Sequence, residues 1–143
     1  MKPSTQFVLR SALTSFLTIV SFSFPAIAAP NQWVRVLTDN NNDAWYVDAS
    51  SIEGRGAYRY FWSYVLYSTP IPRESGLTYS AAYYLSVDCP KQVWRVRYVR
   101  FLDKNQQTVS EYEPGESGRI GDSSIVSEGG AASLKFVCSR RRS

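Results

Sequence analysis

The sequence predicts an α+β domain that is mainly β: a six-stranded antiparallel sheet with one C-terminal helix tethered to it by a disulfide. Three observations carry this reading. Between Asn31 and Tyr112, aromatic and β-branched residues recur with period two. The segments with that period are divided by short polar or glycine-bearing turns, which suits an antiparallel meander better than a parallel sheet with crossovers. The two cysteines fall late, one at the end of a strand-like run and one at the end of an amphipathic stripe.

The first 28 residues differ from the rest. Lys2 and Arg10 bracket a basic start, and Ser11 to Phe24 runs without a charge. Ala26-Ile27-Ala28 then supplies the small-x-small pattern that a signal peptidase reads, so residues 1–28 are expected to be a cleaved export signal. The uncharged run is too short for the ~20 residues that span a bilayer. With no Cys near the cut, neither a transmembrane anchor nor a lipid anchor is expected. The mature chain is expected to be exported, periplasmic or extracellular at the cell surface, with one domain at 29–138 and a basic tail at 139–143.

Six strands follow in order: Trp33–Leu37, Ala44–Asp48, Ala57–Tyr67, Tyr79–Cys89, Val93–Leu102 and Thr108–Tyr112. Asp39-Asn40-Asn41-Asn42-Asp43 and Glu53-Gly54-Arg55-Gly56 are turns that tolerate left-handed backbone. Thr69 to Gly76 carries Pro70 and Pro72 and reads as a longer loop that an interior strand would not absorb. Asp103 to Gln107 reads as a hairpin loop. Alternation separates Tyr79, Ala81, Tyr83, Leu85, Val87 and Cys89 from Ser80, Ala82, Tyr84, Ser86 and Asp88. It likewise separates Tyr58, Tyr60, Trp62, Tyr64 and Leu66 from Arg59, Phe61, Ser63, Val65 and Tyr67.

After a loop at Glu113–Glu128, Ala131, Leu134, Val137 and Cys138 form one helical stripe within Gly130–Cys138, with Ser127 as a candidate cap. A strand is the competing reading, because Leu134, Phe136 and Cys138 also alternate. The helix is preferred, and it is expected to cover Trp62, Tyr83, Leu85 and Trp94. Cys89 ends the fourth strand on the core side and Cys138 ends the helix on its apolar stripe. In an exported domain such a pair is expected to form a disulfide. The closed segment of about 50 residues is worth roughly 4 kcal/mol in the chain-entropy model.

Composition excludes much catalytic chemistry. There is no histidine, so no imidazole base and no His-based triad or metal site. Two cysteines cannot build a Cys-rich zinc site. Asp48 with Ser50 and Ser51 reads as a structural turn ending the second strand. Asp48 and Glu53 do not make a case for a paired-carboxylate enzyme. Glu111, Glu113, Glu116 and Asp122 lack the spacing of a calcium loop. No catalytic residue, metal or cofactor is assigned. Without its first 28 residues the chain keeps 14 basic against 12 acidic groups, three of the positives being Arg140–Arg142. That distribution does not make a nucleic-acid surface.

The remaining signal is a sheet face. Arg59, Arg95 and Arg97 are expected to share the side away from the helix with Phe61 and Tyr84, together with Tyr67 and Val99. Arginine beside aromatic surface is what interfaces enrich.

Short motifs point to a family. The Trp33 opening, Trp45-Tyr46-Val47-Asp48-Ala49-Ser50-Ser51-Ile52, Trp62 in the next strand, Val87-Asp88-Cys89 and Phe136-Val137-Cys138 together resemble the bacterial surface-adhesin E family. The resemblance implies a small exported domain with an antiparallel sheet and a disulfide-tethered helix. It implies a non-enzymatic binding module, with an unidentified protein or surface polymer as partner. The competing readings are a carrier of a flat small ligand such as haem, held by one of the ten tyrosines, and an accessory subunit of an envelope assembly.

Overall fold

The computed structural model describes residues 31–118, 120–122 and 127–140. The expected signal at 1–28 and residues 141–143 of the basic tail lie outside the described residues. Eight strands, one α-helix and two single-turn 3-10 helices are present among them. The six expected strands are β1 (Trp33–Thr38), β2 (Ala44–Asp48), β4 (Tyr58–Arg73), β5 (Gly76–Asp88), β6 (Val93–Leu102) and β7 (Thr108–Tyr112). They form one antiparallel sheet in the order β1-β2-β4-β5-β6-β7. Two short strands add to it. β3 (Glu53–Arg55) pairs with β4 through a turn at Gly56, whose φ of 61° suits glycine. β8 (Ile120–Asp122) pairs with β6. Both lie in segments expected to be turn or loop.

The segment from Thr69 to Gly76 is not a loop. β4 and β5 continue through it as a two-stranded hairpin, with Ile71 opposite Thr78 and Arg73 opposite Gly76. The pairing shifts register between Leu66 and Ile71, beyond the reach of β2, which ends its pairing at Leu66. The extended part of β4 therefore has a free edge, and Pro70 and Pro72 are tolerated where no ladder N–H is required.

The helix α1 (Glu128–Ser139) begins at Ser127, whose hydroxyl oxygen accepts the Gly130 N–H at 3.1 Å. Its buried residues are Gly129, Ser133, Leu134 and Val137. Ala131, expected on this stripe, is exposed. The helix is turned so that Gly129 lies flat on Trp45; a Cβ there would meet the indole at 2.1 Å. Ser133 likewise permits close approach, its hydroxyl lying 3.3 Å from that of Ser63. Phe61, Val47 and Val87 on the sheet meet Leu134 and Val137 on the helix, with Val36, Leu85 and Trp94 packed around them. The disulfide forms as expected between Cys89 and Cys138, with their Cα atoms 5.6 Å apart.

The placement of β4 corrects the expected faces. Phe61 pairs with Leu85 and Arg59 with Val87, so both lie beneath the helix with the core set of β5. Phe61 is fully buried, and Trp62 pairs with Tyr84 on the opposite side. In β6 an extra residue changes the phase: Leu85 faces Val96, while Tyr84 faces Tyr98, leaving Arg97 as the unpaired residue of a β-bulge. Tyr98 therefore joins the open side, and Val99, expected there, is buried on the helix side opposite Tyr83.

Candidate functional site

The face away from the helix is built from one alternate set on each strand. β1 supplies Trp33, β2 Tyr46, β4 Tyr60, Trp62 and Tyr64, β5 Tyr84, and β6 Arg95, Arg97 and Tyr98. Cross-strand pairing brings the rings together in two groups along the face. Trp62 lies 5.2 Å from Tyr84 and 5.8 Å from Tyr98, centroid to centroid, the latter edge-on. Tyr60 lies 6.0 Å from Tyr84. Tyr64 lies 5.7 Å from Trp33 and 6.1 Å from Tyr46. Such tilted contacts suit the ring quadrupoles. The β5 positions between them are small: Ser80, Ala82 and Ser86 are all buried.

Of the residues expected on this face, the structure places Tyr84, Arg95 and Arg97 there. Arg97 is nearly buried. Its Nε donates to the Ser86 hydroxyl at 2.8 Å, its Nη1 lies 2.5 Å from the Glu116 carboxylate, and its guanidinium sits 5.4 Å from the Tyr60 centroid. The Arg97 hydrogen bond, and then its charge, hold the exposed Glu116 carboxyl below the usual range. Arg95 donates to the Gly118 carbonyl at 3.3 Å. Gly118 presses so closely on Val96 that a Cβ would lie 1.8 Å from its carbonyl oxygen. The bulge residue Arg97 and its strand neighbour Arg95 thus hold the loop after β7 against the sheet. Burial raises the Tyr84 hydroxyl, and a 2.6 Å hydrogen bond to Glu111 is the first cause of the rise at Tyr98.

Arg59 and Phe61 do not belong to this surface. Phe61 is core, and Arg59 is spent on the helix end, donating to the Val137 carbonyl at 2.5 Å and the Arg140 carbonyl at 2.6 Å. Asp48 and Ser51 shape the turn after β2. Asp48 accepts from the N–H groups of Gln32 and Ser50, each at 3.0 Å. Ser51 donates to the Asp48 carbonyl at 2.8 Å and accepts the Trp62 N–H at 2.9 Å. Those bonds tie the turn after β2 to β4 at Trp62 and occupy both side chains.

The rings missed in the sequence are Trp33, Tyr46, Tyr60, Trp62, Tyr64 and Tyr98. A usable signal existed. A set of tyrosines has hydroxyls to solvate, whereas Phe61 and Val65 have none, so the second set is the better core. At one end of the face, Trp33, Tyr46, Tyr64, Ala82, Arg100 and Gln106 line a cleft of about 450 Å³. Among the described residues no group of three His, Cys, Asp or Glu side chains is arranged to hold a metal.

Comparison with known proteins agrees with this architecture. The family model described as surface-adhesin protein E matches residues 33–139. Two solved structures share the fold. One is described as the structure of Haemophilus influenzae protein E, at 15% identity and a TM-score of 0.50, covering 74% of this chain and 83% of that one. The other is the crystal structure of protein E from non-typeable Haemophilus influenzae, with the same identity and TM-score and 74% of each chain covered. A search of curated proteins finds no match. With the family model spanning every described strand and the helix, the chain belongs to the surface-adhesin protein E family.

Proposed function

We propose that this protein is an exported, non-enzymatic binding module that contacts a protein or surface polymer through its open sheet face. Family membership supports an adhesin-like role at the cell surface. The observation that carries the choice of surface is the set of seven rings on the face opposite the helix, in two groups of contacting rings: Trp33, Tyr46 and Tyr64, and Tyr60, Trp62, Tyr84 and Tyr98. Aromatic rings backed by arginine bring large contact area at little conformational cost, the composition of interface centres. The short basic start, uncharged run and Ala26-Ile27-Ala28 site support export, with the mature chain starting at Ala29. The Cys89–Cys138 disulfide fits an oxidising compartment. No helix among the described residues is long and apolar enough to cross a membrane.

Site-specific photocrosslinking in the native envelope tests the face. A crosslinker replacing Trp62 is expected to capture a discrete partner. One replacing Lys135, exposed on the helix, is expected to capture none. Equal capture from both positions, or capture from Lys135 alone, overturns the assignment. Intact-mass analysis of the exported protein tests the start at Ala29.

A further inference from the structure

We infer that the cleft at the Trp33–Arg100 end of the open face is a saccharide subsite, and that it takes a carboxylate-bearing pyranose of an acidic surface polysaccharide. The inference rests on the reading of the open face as a binding surface and names the ligand chemistry of one part of it.

The cleft is a consequence of one small residue in a row of large ones. Across the sheet, Tyr46 pairs with Tyr64, Tyr64 with Ala82, Ala82 with Arg100, and Arg100 with Glu111. Ala82 is the only short side chain among the first four, and it is 5% exposed. It forms the floor of a depression whose volume of about 450 Å³ lies within the usual range for small-molecule sites.

The walls differ in character. On one side, Trp33, Tyr46 and Tyr64 present rings with centroids 5.7 and 6.1 Å apart. The electron-rich faces of such rings attract the polarised C–H bonds of a pyranose, and their shape matches its flat side. On the other side stands Arg100, which is exposed and forms no ion pair among the described residues. Two other arginines stacked on Tyr60 are already neutralised, Arg55 by Glu53 and Arg97 by Glu116. The cross-strand neighbour of Arg100, Glu111, accepts the Tyr98 hydroxyl at 2.6 Å. A planar guanidinium beside an aromatic wall selects a carboxylate on the ring it faces.

Gln106 is the second indication. It occupies a left-handed conformation, φ 62°, in the hairpin between β6 and β7, where glycine or asparagine is favoured. Its side chain reaches back to the cleft, its Oε1 accepting the Tyr64 hydroxyl at 3.1 Å and its Nε2 donating to the Ser80 hydroxyl at 3.4 Å. A strained position that keeps a long amide at a cleft rim is one where the side chain has a use. Here the amide orients Tyr64 and offers a partner to sugar hydroxyls.

The test is NMR titration of the full mature protein with two acidic probes: a hexasaccharide of alternating glucuronic acid and N-acetylglucosamine, and 3′-sialyllactose. At least one is expected to shift the Trp33 indole N–H and the Gln106 side-chain amide saturably. Its carboxyl-reduced counterpart, and the Arg100→Gln variant, are each expected to bind at least tenfold more weakly. Gln106→Gly is expected to weaken binding without lowering the melting temperature, because it relieves the left-handed backbone. A residue retained for structure alone would show the reverse. No saturable shift with either probe, equal binding of the neutral sugar, or equally tight binding of a polyglutamate peptide at these residues overturns the inference. Crosslinking from position 62 reads the wider face separately. If capture there persists while both sugars fail, the saccharide subsite falls and the broader binding surface stands.

Discussion

Arg59 and Val137 join the sheet to the last turn of the helix, the guanidinium donating to a carbonyl that otherwise accepts only the 3.3 Å N–H of the C-cap residue Arg140. The positive charge also complements the negative end of the helix dipole. The neighbouring Cys138 is bonded to Cys89, so an ion-dipole contact and a covalent bond secure the same point of attachment.

Replacing Arg59 with Met is expected to destabilise the fold by about 1.5–3 kcal/mol, the range for hydrogen bonds to a charged group. Lysine at this position should recover part of the loss. Urea midpoints of the three proteins check it, and an unchanged midpoint for Arg59→Met would place the residue outside the attachment.

Cys89→Ser is expected to cost roughly 2–5 kcal/mol. Hydrogen exchange should then show α1 losing protection before β4, β5 and β6, which retain their own ladder bonds. Combined with Arg59→Met, the two losses should not add, because both loosen one end of one helix.

Neighbouring residues in β4 separate core from surface. Phe61→Ala is expected to cost roughly 3–5 kcal/mol, since its ring is fully buried against Val87 and Val137. Trp62→Ala is expected to cost less in stability and more in partner capture. Thermal melts paired with envelope pull-down check the contrast, and a reversed order would put the faces back where alternation alone had placed them.

Gly129→Ala should destabilise the protein although alanine is the better helix former by about 1 kcal/mol. The added Cβ meets the Trp45 ring at 2.1 Å, and forcing the helix off it is expected to cost roughly 1–3 kcal/mol. Calorimetry of the variant checks the sign.

Stability should fall at both ends of the pH range. Asp39 and Glu116 have carboxyls held low, Asp39 first by the Trp45 indole N–H at 2.9 Å and Glu116 first by Arg97. Their contribution is present above the unfolded values of about 4 and is lost as pH falls through the lower folded values. Tyr83, Tyr84 and Tyr98 are raised, Tyr83 most and chiefly by burial. Their contribution is present below an unfolded value of about 10 and is lost as pH rises through the folded values. Urea midpoints against pH check both arms; Asp39→Asn with Glu116→Gln should flatten the acid arm alone.

Much of the fold was legible in the residues. Period two marked the six strands of the main ladder, Ser127 marked the helix start, and the placement of Cys89 and Cys138 on inward-facing positions marked the tether. These are local properties, set by side-chain alternation and capping chemistry within a few residues. Alternation sorts a strand into two sets, but it does not say which set meets the core or how the sets of two strands line up. Pairing decided that. Phe61 opposite Leu85 put Arg59 and Phe61 beneath the helix and turned Trp62 outward. The bulge at Arg97 put Tyr98 on the open side and moved Val99, expected there, to the helix side, because one extra residue inverts every later position on the strand. The hairpin through Pro70 and Pro72, the close seat of Gly129 on Trp45, and the cleft over Ala82 are likewise properties of neighbours distant in the chain. The sequence by itself determined which segments are strands, where the helix starts and which cysteines join. Only the tertiary structure decided which rings face outward, because facing is a relation between strands.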